Sequence, residues 1–382
     1  MNYDPVMVDA ETMRPTRVEI DLGAITANFR AIERHVAPAG VMPILKANAY
    51  GHGLLPIADH LQTIGAAEVG VAYLEEGLLL RHHGVEMDIL VMGGLAGNQI
   101  PHFIDANLII TASSIDKLHQ IDRVACDMKR RARVHLKIDT GMGRIGTQYY
   151  SASGLFDAMT ETSNVDVEAV YSHFACSDDS DLTSARTQVA RFEEALGYFA
   201  ERDLPMPKRH MANSGAILNL RDARYDLVRP GILLYGVYPS DEVPRVIEVT
   251  PALSWLSRVA YFKVLKPGHS VSYGSTWTAS KETRIVTVPV GYGDGYFRLL
   301  SNRGEVVIHG RRYPIRGRVC MDQFMVDIGS DAAFNGNDVI LIGGDGDGRV
   351  SVEDVARWAD TIPYEVLTNI NTRVPRLYTG GI

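Results

Sequence analysis

A lysine at the end of an apolar segment is the first residue of the sequence whose surroundings favour chemistry. Lys46 follows the apolar run 43–45 and precedes small residues and Tyr50. Desolvation at the end of a buried strand lowers the pKa of a lysine amine from about 10.4, and the neutral amine can then form a Schiff base. A solvated surface lysine is the alternative, and Lys46 alone does not distinguish the two.

Polar groups that suit a phosphate follow two later apolar segments. Ser214 follows the seventh segment, Gly231 and Ile232 follow the eighth, and Tyr50 adds a hydroxyl. In (β/α)8 barrels, hydroxyls and backbone N–H groups that follow the seventh and eighth strands commonly bind phosphate. Taken singly, each position fits a helix-capping serine or a turn glycine. Together with Lys46, they favour a phosphate-bearing aldehyde as the ligand.

The elements that must position these residues are strands and helices in alternation. Eight short apolar or β-branched segments are separated mostly by helix-like ones, and they lie near 41–46, 67–72, 88–92, 107–111, 133–139, 166–171, 207–211 and 225–229. This repetition predicts an α/β fold, a (β/α)8 TIM-type barrel whose reactive groups lie at the carboxyl ends of its strands. Lys46, Arg144, His173, Ser214 and Arg229 end or follow such strands.

The pattern changes after Arg229, where strand-like segments with Gly, Pro and Asp turns replace the helices. They lie near 252–265, 284–290, 305–308, 325–328 and 338–343, with one late helix near 351–360. We therefore predict a barrel over 15–245 that is followed by a mainly β domain over 246–382.

Composition excludes several classes of protein. The 382 residues include 38 basic and 46 acidic ones, so the net charge of -8 disfavours nucleic acid as a partner. The three cysteines show no CxxC spacing, and neither His82-His83 nor 345–348 has the spacing of metal ligands. Without an apolar run of about 18 residues or a signal-like amino terminus, we expect a cytoplasmic protein with no membrane contact and no metal.

Residues 141–146 match the G-x-G-x-x-G pattern of dinucleotide sites. A dinucleotide site needs this turn in the first βα unit with an acidic residue about 20 positions later. Here the turn follows the fifth strand, and Asp157 and Asp166 fit that offset poorly. We therefore predict that the glycines have another role.

Eight motifs stand in the order found in one known family. They are 46–53, 137–146, 172–174, 212–214, 229–232, 272–274, 291–295 and 317–322. In these motifs the chain, from about Arg17 to Arg376, resembles the alanine racemases, fold-type III enzymes that use pyridoxal 5′-phosphate (PLP).

The resemblance implies how PLP is held. Lys46 carries it covalently, and Arg229 faces its pyridine nitrogen. The implied cofactor-binding residues are Lys46, Tyr50, His173, Asn213, Ser214, Arg229, Gly231 and Ile232.

The resemblance also implies two catalytic bases, Lys46 and Tyr273, because racemisation removes the Cα proton from one face and returns a proton to the other. It implies that Arg144 and Met321 bind substrate. It further raises the hypothesis that Lys137 is carbamylated and orients Arg144. Tyr292 and Asp322 belong to the remaining motifs of the site.

The expected activity is interconversion of L- and D-alanine, which supplies D-alanine for peptidoglycan, in a homodimer with shared active sites. Thr372 stands where many family members place a tyrosine, so side-chain selectivity is in question. A broader alanine and serine racemase is therefore one alternative. A fold-type III decarboxylase and a non-catalytic PLP carrier are two others.

Overall fold

The structure, a computed structural model, describes residues 14–381 and divides into two compact units. One unit is Gly23–Thr250, and the other combines the residues up to Leu22 with those from Pro251 onward. The sequence-based boundaries were 15–245 and 246–382. The structure differs at both boundaries. Residues 246–250 belong to the first unit, and residues 15–22 belong to the second, because the strand Arg17–Asp21 pairs with strands of that unit.

The first unit contains a sheet of eight strands, all paired in parallel. In spatial order they are Gly40–Val41, Leu227–Val228, Lys208–His210, Val165–Tyr171, Ala132–Asp139, Ile109–Ala112, Asp88–Val91 and Glu68–Val71. A parallel bridge between Ile44 and Gly70 joins the two ends of this order, so the barrel is nearly closed. The predicted barrel is confirmed, and each predicted segment overlaps a strand, although the first shares only Val41 with the strand Gly40–Val41.

Helices follow most of these strands. They span Leu22–Val36, Leu54–Thr63, Leu74–His82, Ile100–Asp105, Ile115–Asp127, Ala152–Glu161, Thr183–Glu201 and Ser214–Asn219. The first of them buries Ile25, Phe29 and Ile32 at helical spacing, so one face packs against the barrel. Among residues 14–381, no helix is both long enough and apolar enough to cross a membrane.

The second unit is mainly β, as predicted. Its largest sheet runs in the order Tyr261–Leu265, Thr283–Val288, Phe324–Gly329, Arg311–Arg316, Glu305–Ile308, Asp338–Ile342, Leu253–Arg258, Arg17–Asp21 and Arg376–Thr379. A short hairpin pairs Ser270–Val271 with Trp277–Thr278. The expected late helix is Val352–Ala359, and a second helix, Pro363–Asn369, follows it.

Candidate functional site

Lys46 begins a short left-handed turn beyond the first barrel strand. Ala47, Asn48, Ala49 and Tyr50 all have φ between 52° and 57°. Left-handed geometry costs about 1–2 kcal/mol per residue for residues with a Cβ, so this turn persists only because its surroundings hold it.

Two hydrogen bonds to side chains hold the turn. The backbone N–H of Ala47 donates to Glu76 Oε1 at 2.7 Å, and Asn48 Oδ1 accepts from the N–H of Leu54 at 2.8 Å. Glu76 Oε2 also accepts from the N–H of Ala72 at 2.8 Å. Glu76 therefore ties the Lys46 turn to the end of the neighbouring strand, Glu68–Val71.

The surroundings of Lys46 favour its neutral amine. Burial lowers the pKa of Lys46 most, and the charge of Arg144 lowers it further. Glu76 acts in the opposite direction, and Arg229 adds a smaller lowering effect. An amine with a lowered pKa can attack a carbonyl carbon and can accept a proton.

Tyr50, Ser214 and Gly231 come together beside this turn. Ser214 Oγ accepts from the N–H of Gly231 at 3.0 Å and from that of Leu233 at 3.3 Å. A Cβ added at Gly231 would lie only 2.3 Å from Tyr50 Oη, so the tyrosine hydroxyl approaches the Gly231 backbone as closely as a glycine allows. Burial raises the pKa of Tyr50, which keeps its hydroxyl protonated as a donor.

Asn213 has a structural role in this region. Its Oδ1 accepts from the Ser177 hydroxyl at 2.7 Å and from the N–H of Ala216 at 3.0 Å. Asn213 therefore caps the helix that begins at Ser214.

Arg229 is buried and held by acceptors. Its Nη1 donates to His210 Nδ1 at 2.6 Å, and its Nη2 donates to the Ser172 carbonyl oxygen at 2.6 Å and to the Met211 carbonyl oxygen at 3.1 Å. His173 Nδ1 lies 3.3 Å from Nη2. Within the described part of the chain, these contacts leave the Nε–H without an acceptor.

Burial lowers the pKa of Arg229 to about 10, so the guanidinium stays charged at neutral pH. Burial also lowers the pKa of His173 well below its usual value, and the charges of Lys137 and Arg229 act in the same direction. His173 is therefore neutral and Arg229 is the cation of this pair.

Lys137 lies near two cations. Burial is the largest cause that lowers its pKa, and the charges of Arg229 and Arg144 lower it further. Lys137 Nζ stands 4.1 Å from the centroid of the Tyr171 ring. A buried lysine amine in a cationic environment is disfavoured in its charged form. The hypothesis of carbamylation stays a prediction.

The glycines of 141–146 shape the loop that presents Arg144. Asp139 Oδ1 accepts from the N–H groups of Gly141 at 2.9 Å and Gly143 at 3.1 Å. Gly146 has φ of 125°, and a Cβ there would lie 2.9 Å from the backbone nitrogen of Asp139. Close backbone approach therefore accounts for Gly146, and positive φ angles of 145° and 69° account for Gly141 and Gly143.

The remaining predicted residues lie in the second unit. Tyr273 is 72% exposed and Met321 is 53% exposed. The Met321 carbonyl oxygen accepts from the N–H of Gly293 at 2.9 Å, which joins the Met321 segment to Tyr292. Asp322 accepts from Arg373 Nη2 at 2.7 Å. The Tyr273 and Met321 side chains are thus accessible on this unit.

Thr372 precedes Arg373, the residue that binds Asp322. Its hydroxyl donates to Asn371 Oδ1 at 3.4 Å. Thr372 is exposed in this unit. The structure therefore leaves room for a larger side chain at this position.

Comparison with known proteins decides the family. The model of the alanine racemase N-terminal domain matches residues 20–239, and that of the C-terminal domain matches residues 252–378. The chain belongs to the alanine racemase family.

Relatives in this family match over nearly the whole chain. The alanine racemase of Carboxydothermus hydrogenoformans is 42% identical over 368 residues, which cover 96% of this chain and 100% of that protein. The crystal structure of alanine racemase from D-cycloserine-producing Streptomyces lavendulae is 37% identical with a TM-score of 0.92, and the match covers 97% of this chain and 98% of that one.

A third alanine racemase, from Bartonella henselae, was solved with covalently bound pyridoxal phosphate. It is 29% identical with a TM-score of 0.88, and the match covers 96% of this chain and 100% of that one. The family resemblance stated from the motifs is thus confirmed.

Sequence reasoning missed three residues that support the site of this family member. Glu76 and Asp139 hold the Lys46 turn and the Arg144 loop. His210 accepts from Arg229. Asp139 ends the predicted strand 133–139 and His210 lies one residue before the end of the predicted strand 207–211, and these positions were a usable signal. Glu76 lies inside a helix-like segment, which gave no such signal.

Proposed function

We propose that the protein is a PLP-dependent alanine racemase that interconverts L- and D-alanine with two bases. One observation carries the proposal: Lys46, with its lowered pKa, begins the same left-handed turn that ends in Tyr50, whose hydroxyl meets the Gly231 backbone. An amine and a phosphate-binding hydroxyl then lie on one rigid segment. Whole-length similarity to named alanine racemases supports the same activity.

The donor set fits PLP. The Ser214 and Tyr50 hydroxyls and the Ile232 N–H suit a phosphate, and the Gly231 N–H, which donates to Ser214 Oγ, would donate to the phosphate instead. The open Nε–H of Arg229 suits a ring nitrogen. When bound, PLP supplies an aldehyde that condenses with amines and a conjugated ring that makes the Cα proton of an amino acid acidic.

Arg229 would donate a hydrogen bond to the ring nitrogen and keep its own proton. Its pKa of about 10 is far above that of a pyridine, so the ring nitrogen is not protonated by this residue. A partner that donates a hydrogen bond without giving up its proton would disfavour transamination. An arginine opposite the ring nitrogen therefore suits a racemase more than an aminotransferase.

The two proton-transfer groups in the proposal are Lys46 Nζ and Tyr273 Oη. In each direction one of them would accept the Cα proton from one face of the substrate, and the other, already protonated, would donate a proton to the opposite face. Arg144 would bind the substrate carboxylate and the phenolate oxygen of PLP, with Lys137 orienting it, and Met321 would contact the substrate through its backbone. Tyr292 and Asp322 would line the approach to it.

Tyr273 would reach the substrate of a second copy of the chain. We infer a homodimer in which each site takes Lys46 from one protomer and Tyr273 with Met321 from the other. Mixing Lys46→Ala protomers with Tyr273→Phe protomers tests this, because a mixed dimer regains up to about one complete site. No recovery of activity after verified subunit exchange would contradict a shared site.

The activity is tested with L-alanine, PLP and purified protein in D2O. We expect D-alanine with deuterium at Cα and no CO2. A decarboxylase would release CO2, and a carrier would give neither product. Tyr273→Phe should impair exchange from the L-enantiomer more than from the D-enantiomer, whereas Tyr261→Phe, which changes another exposed tyrosine of the same unit, should alter neither.

We also propose that the protein works in the cytoplasm and supplies D-alanine for peptidoglycan. Its three cysteines are all unbridged, which suits a reducing compartment. Depletion of the protein should then deplete D-alanine, and added D-alanine should restore growth. Growth that stays normal without either would contradict this role.

A further inference from the structure

A chain of polar side chains leads from Arg229 through the interior of the barrel unit. Arg229 Nη1 contacts His210 Nδ1 at 2.6 Å, and His210 Nε2 contacts His135 Nδ1 at 3.1 Å. His135 Nε2 then lies 3.8 Å from Glu168 Oε2. The two histidines are 2% exposed or less, and Glu168 is half-buried at the far end.

A β-bulge places Glu168 at the end of this chain. Val134 pairs with Val167, but His135 pairs with Ala169, so Glu168 is an extra residue in its strand. Bulges redirect a side chain and are common beside active sites. Arg133 holds the redirected carboxylate through bonds of 2.6 Å and 3.1 Å.

The chemistry of the two ends fixes every proton between them. A guanidinium only donates, so His210 Nδ1 must accept and the proton of His210 must lie on Nε2. That proton makes His135 Nδ1 an acceptor, which places the proton of His135 on Nε2, facing Glu168. A carboxylate only accepts, so the direction of donation is the same from Arg229 to Glu168.

The electrostatics agree with one proton on each ring. Burial lowers the pKa of His210 and of His135, and the charge of Arg229 lowers the pKa of His210 further. Burial opposes ionisation of Glu168, but the nearby His135 and the hydrogen bonds from Arg133 outweigh it and lower its pKa to about 2. The acceptor at the end of the chain is therefore charged at neutral pH.

We propose that His135 and Glu168 are positioning residues that hold His210 in the tautomer that accepts from Arg229, and so fix the direction of the Arg229 guanidinium. In the other tautomer, the Nδ1–H of His210 would face an N–H of Arg229, and the guanidinium would have to turn. The effect on catalysis rests on the proposed role of Arg229 toward PLP, whereas the proton positions do not.

Neutron diffraction of perdeuterated holoenzyme tests the proton positions. We expect deuterium on Nε2 of both His210 and His135 and none on Nδ1 of either ring. Deuterium on Nδ1 of either histidine overturns the proposal, whatever reaction the protein performs. A failure of the proposed function would instead show as no Cα exchange in the wild-type protein.

Kinetics of Glu168 variants test the positioning role. Glu168→Leu removes the acceptor, and we expect kcat for alanine to fall about tenfold while KM changes less than twofold, as for other groups that orient a contact residue. Glu168→Gln keeps an acceptor oxygen and should recover at least half of the wild-type kcat.

Asp166→Asn is the matched control, because Asp166 lies on the same strand and pairs with Arg131 but touches neither histidine. It should change neither constant. Equal kcat values for Glu168→Leu and Asp166→Asn overturn the positioning role. Should Glu168→Leu fail to fold, Glu168→Gln carries the kinetic test, and a kcat below half of the wild-type value would contradict the role of its acceptor oxygen.

Discussion

Replacing Gly231 with alanine should weaken PLP binding through a single contact. The added Cβ would lie 2.3 Å from Tyr50 Oη and 2.9 Å from Tyr50 Cζ. Ordinary carbon contacts lie at about 3.5 Å, so the tyrosine has to move by about 1 Å. It has little room, because it is buried and its ring packs against Tyr235 with the ring centroids 5.1 Å apart.

The cost follows from overpacking a buried site, which is typically about 1–3 kcal/mol. If this cost falls on the form that binds PLP, the dissociation constant rises by about 5- to 140-fold, since about 1.4 kcal/mol corresponds to a factor of ten. Lys46 should still react with PLP at saturating concentration, because the change leaves the amine in place.

Titration of the apoprotein with PLP, followed by visible absorbance, measures this constant. Gly197→Ala is the control: Gly197 lies within the helix Thr183–Glu201, and a Cβ there would meet no atom within 4 Å. It should bind PLP as the wild type does. Combining Gly231→Ala with Tyr50→Phe removes the nearest clashing atom, so the double variant should lose less than the two single losses combined. A Gly231→Ala protein that binds PLP within twofold of wild type would refute the reasoning.

Four other changes test separate parts of the structure. Ala47→Gly should raise the free energy of unfolding by about 0.5–1 kcal/mol in urea titrations by relieving left-handed strain, whereas Ala27→Gly, on an exposed helix position, should lower it. Lys46→Ala should abolish covalent attachment of PLP, and a borohydride-reduced peptide labelled at another lysine would contradict this. Thr372→Tyr should lower the ratio of kcat/KM for L-serine to kcat/KM for L-alanine, by a factor that corresponds to at most about 3 kcal/mol. An unchanged ratio would mean that this position does not set selectivity. Asp294→Asn should lower the free energy of unfolding by about 2 kcal/mol, because this buried carboxylate accepts from two arginines.

The barrel was predictable because each of its strands is a short apolar segment between helical ones. The strands at the two ends of the chain were not. Arg376–Thr379 has only four residues and no polar–apolar alternation, and it becomes a strand by pairing with Arg17–Asp21. Pairing between segments so far apart in the sequence produces no local residue pattern from which the strand could be predicted.

The reactive side chains of the site were predictable from strand ends and motifs, but their geometry was not. The segment Ala47–Tyr50 contains no glycine, so nothing in it indicates left-handed backbone. Only the hydrogen bond from Ala47 to Glu76, a residue in a later helix, shows how that backbone is stabilised. The bulge at Glu168 is likewise visible only once Val165–Tyr171 pairs with Ala132–Asp139.

The left-handed turn has a consequence for how the two ends of PLP would be held. Lys46 and Tyr50 are the first and last residues of one turn, and Arg229 and Gly231 are two residues apart in one loop. A shift of Tyr50 therefore strains the segment that carries Lys46, and a shift of Gly231 strains the segment that carries Arg229. Binding of the phosphate and orientation of the Lys46 amine should for this reason respond together to changes at either segment. A variant that weakens phosphate binding should therefore also lower kcat, rather than alter the affinity for PLP alone.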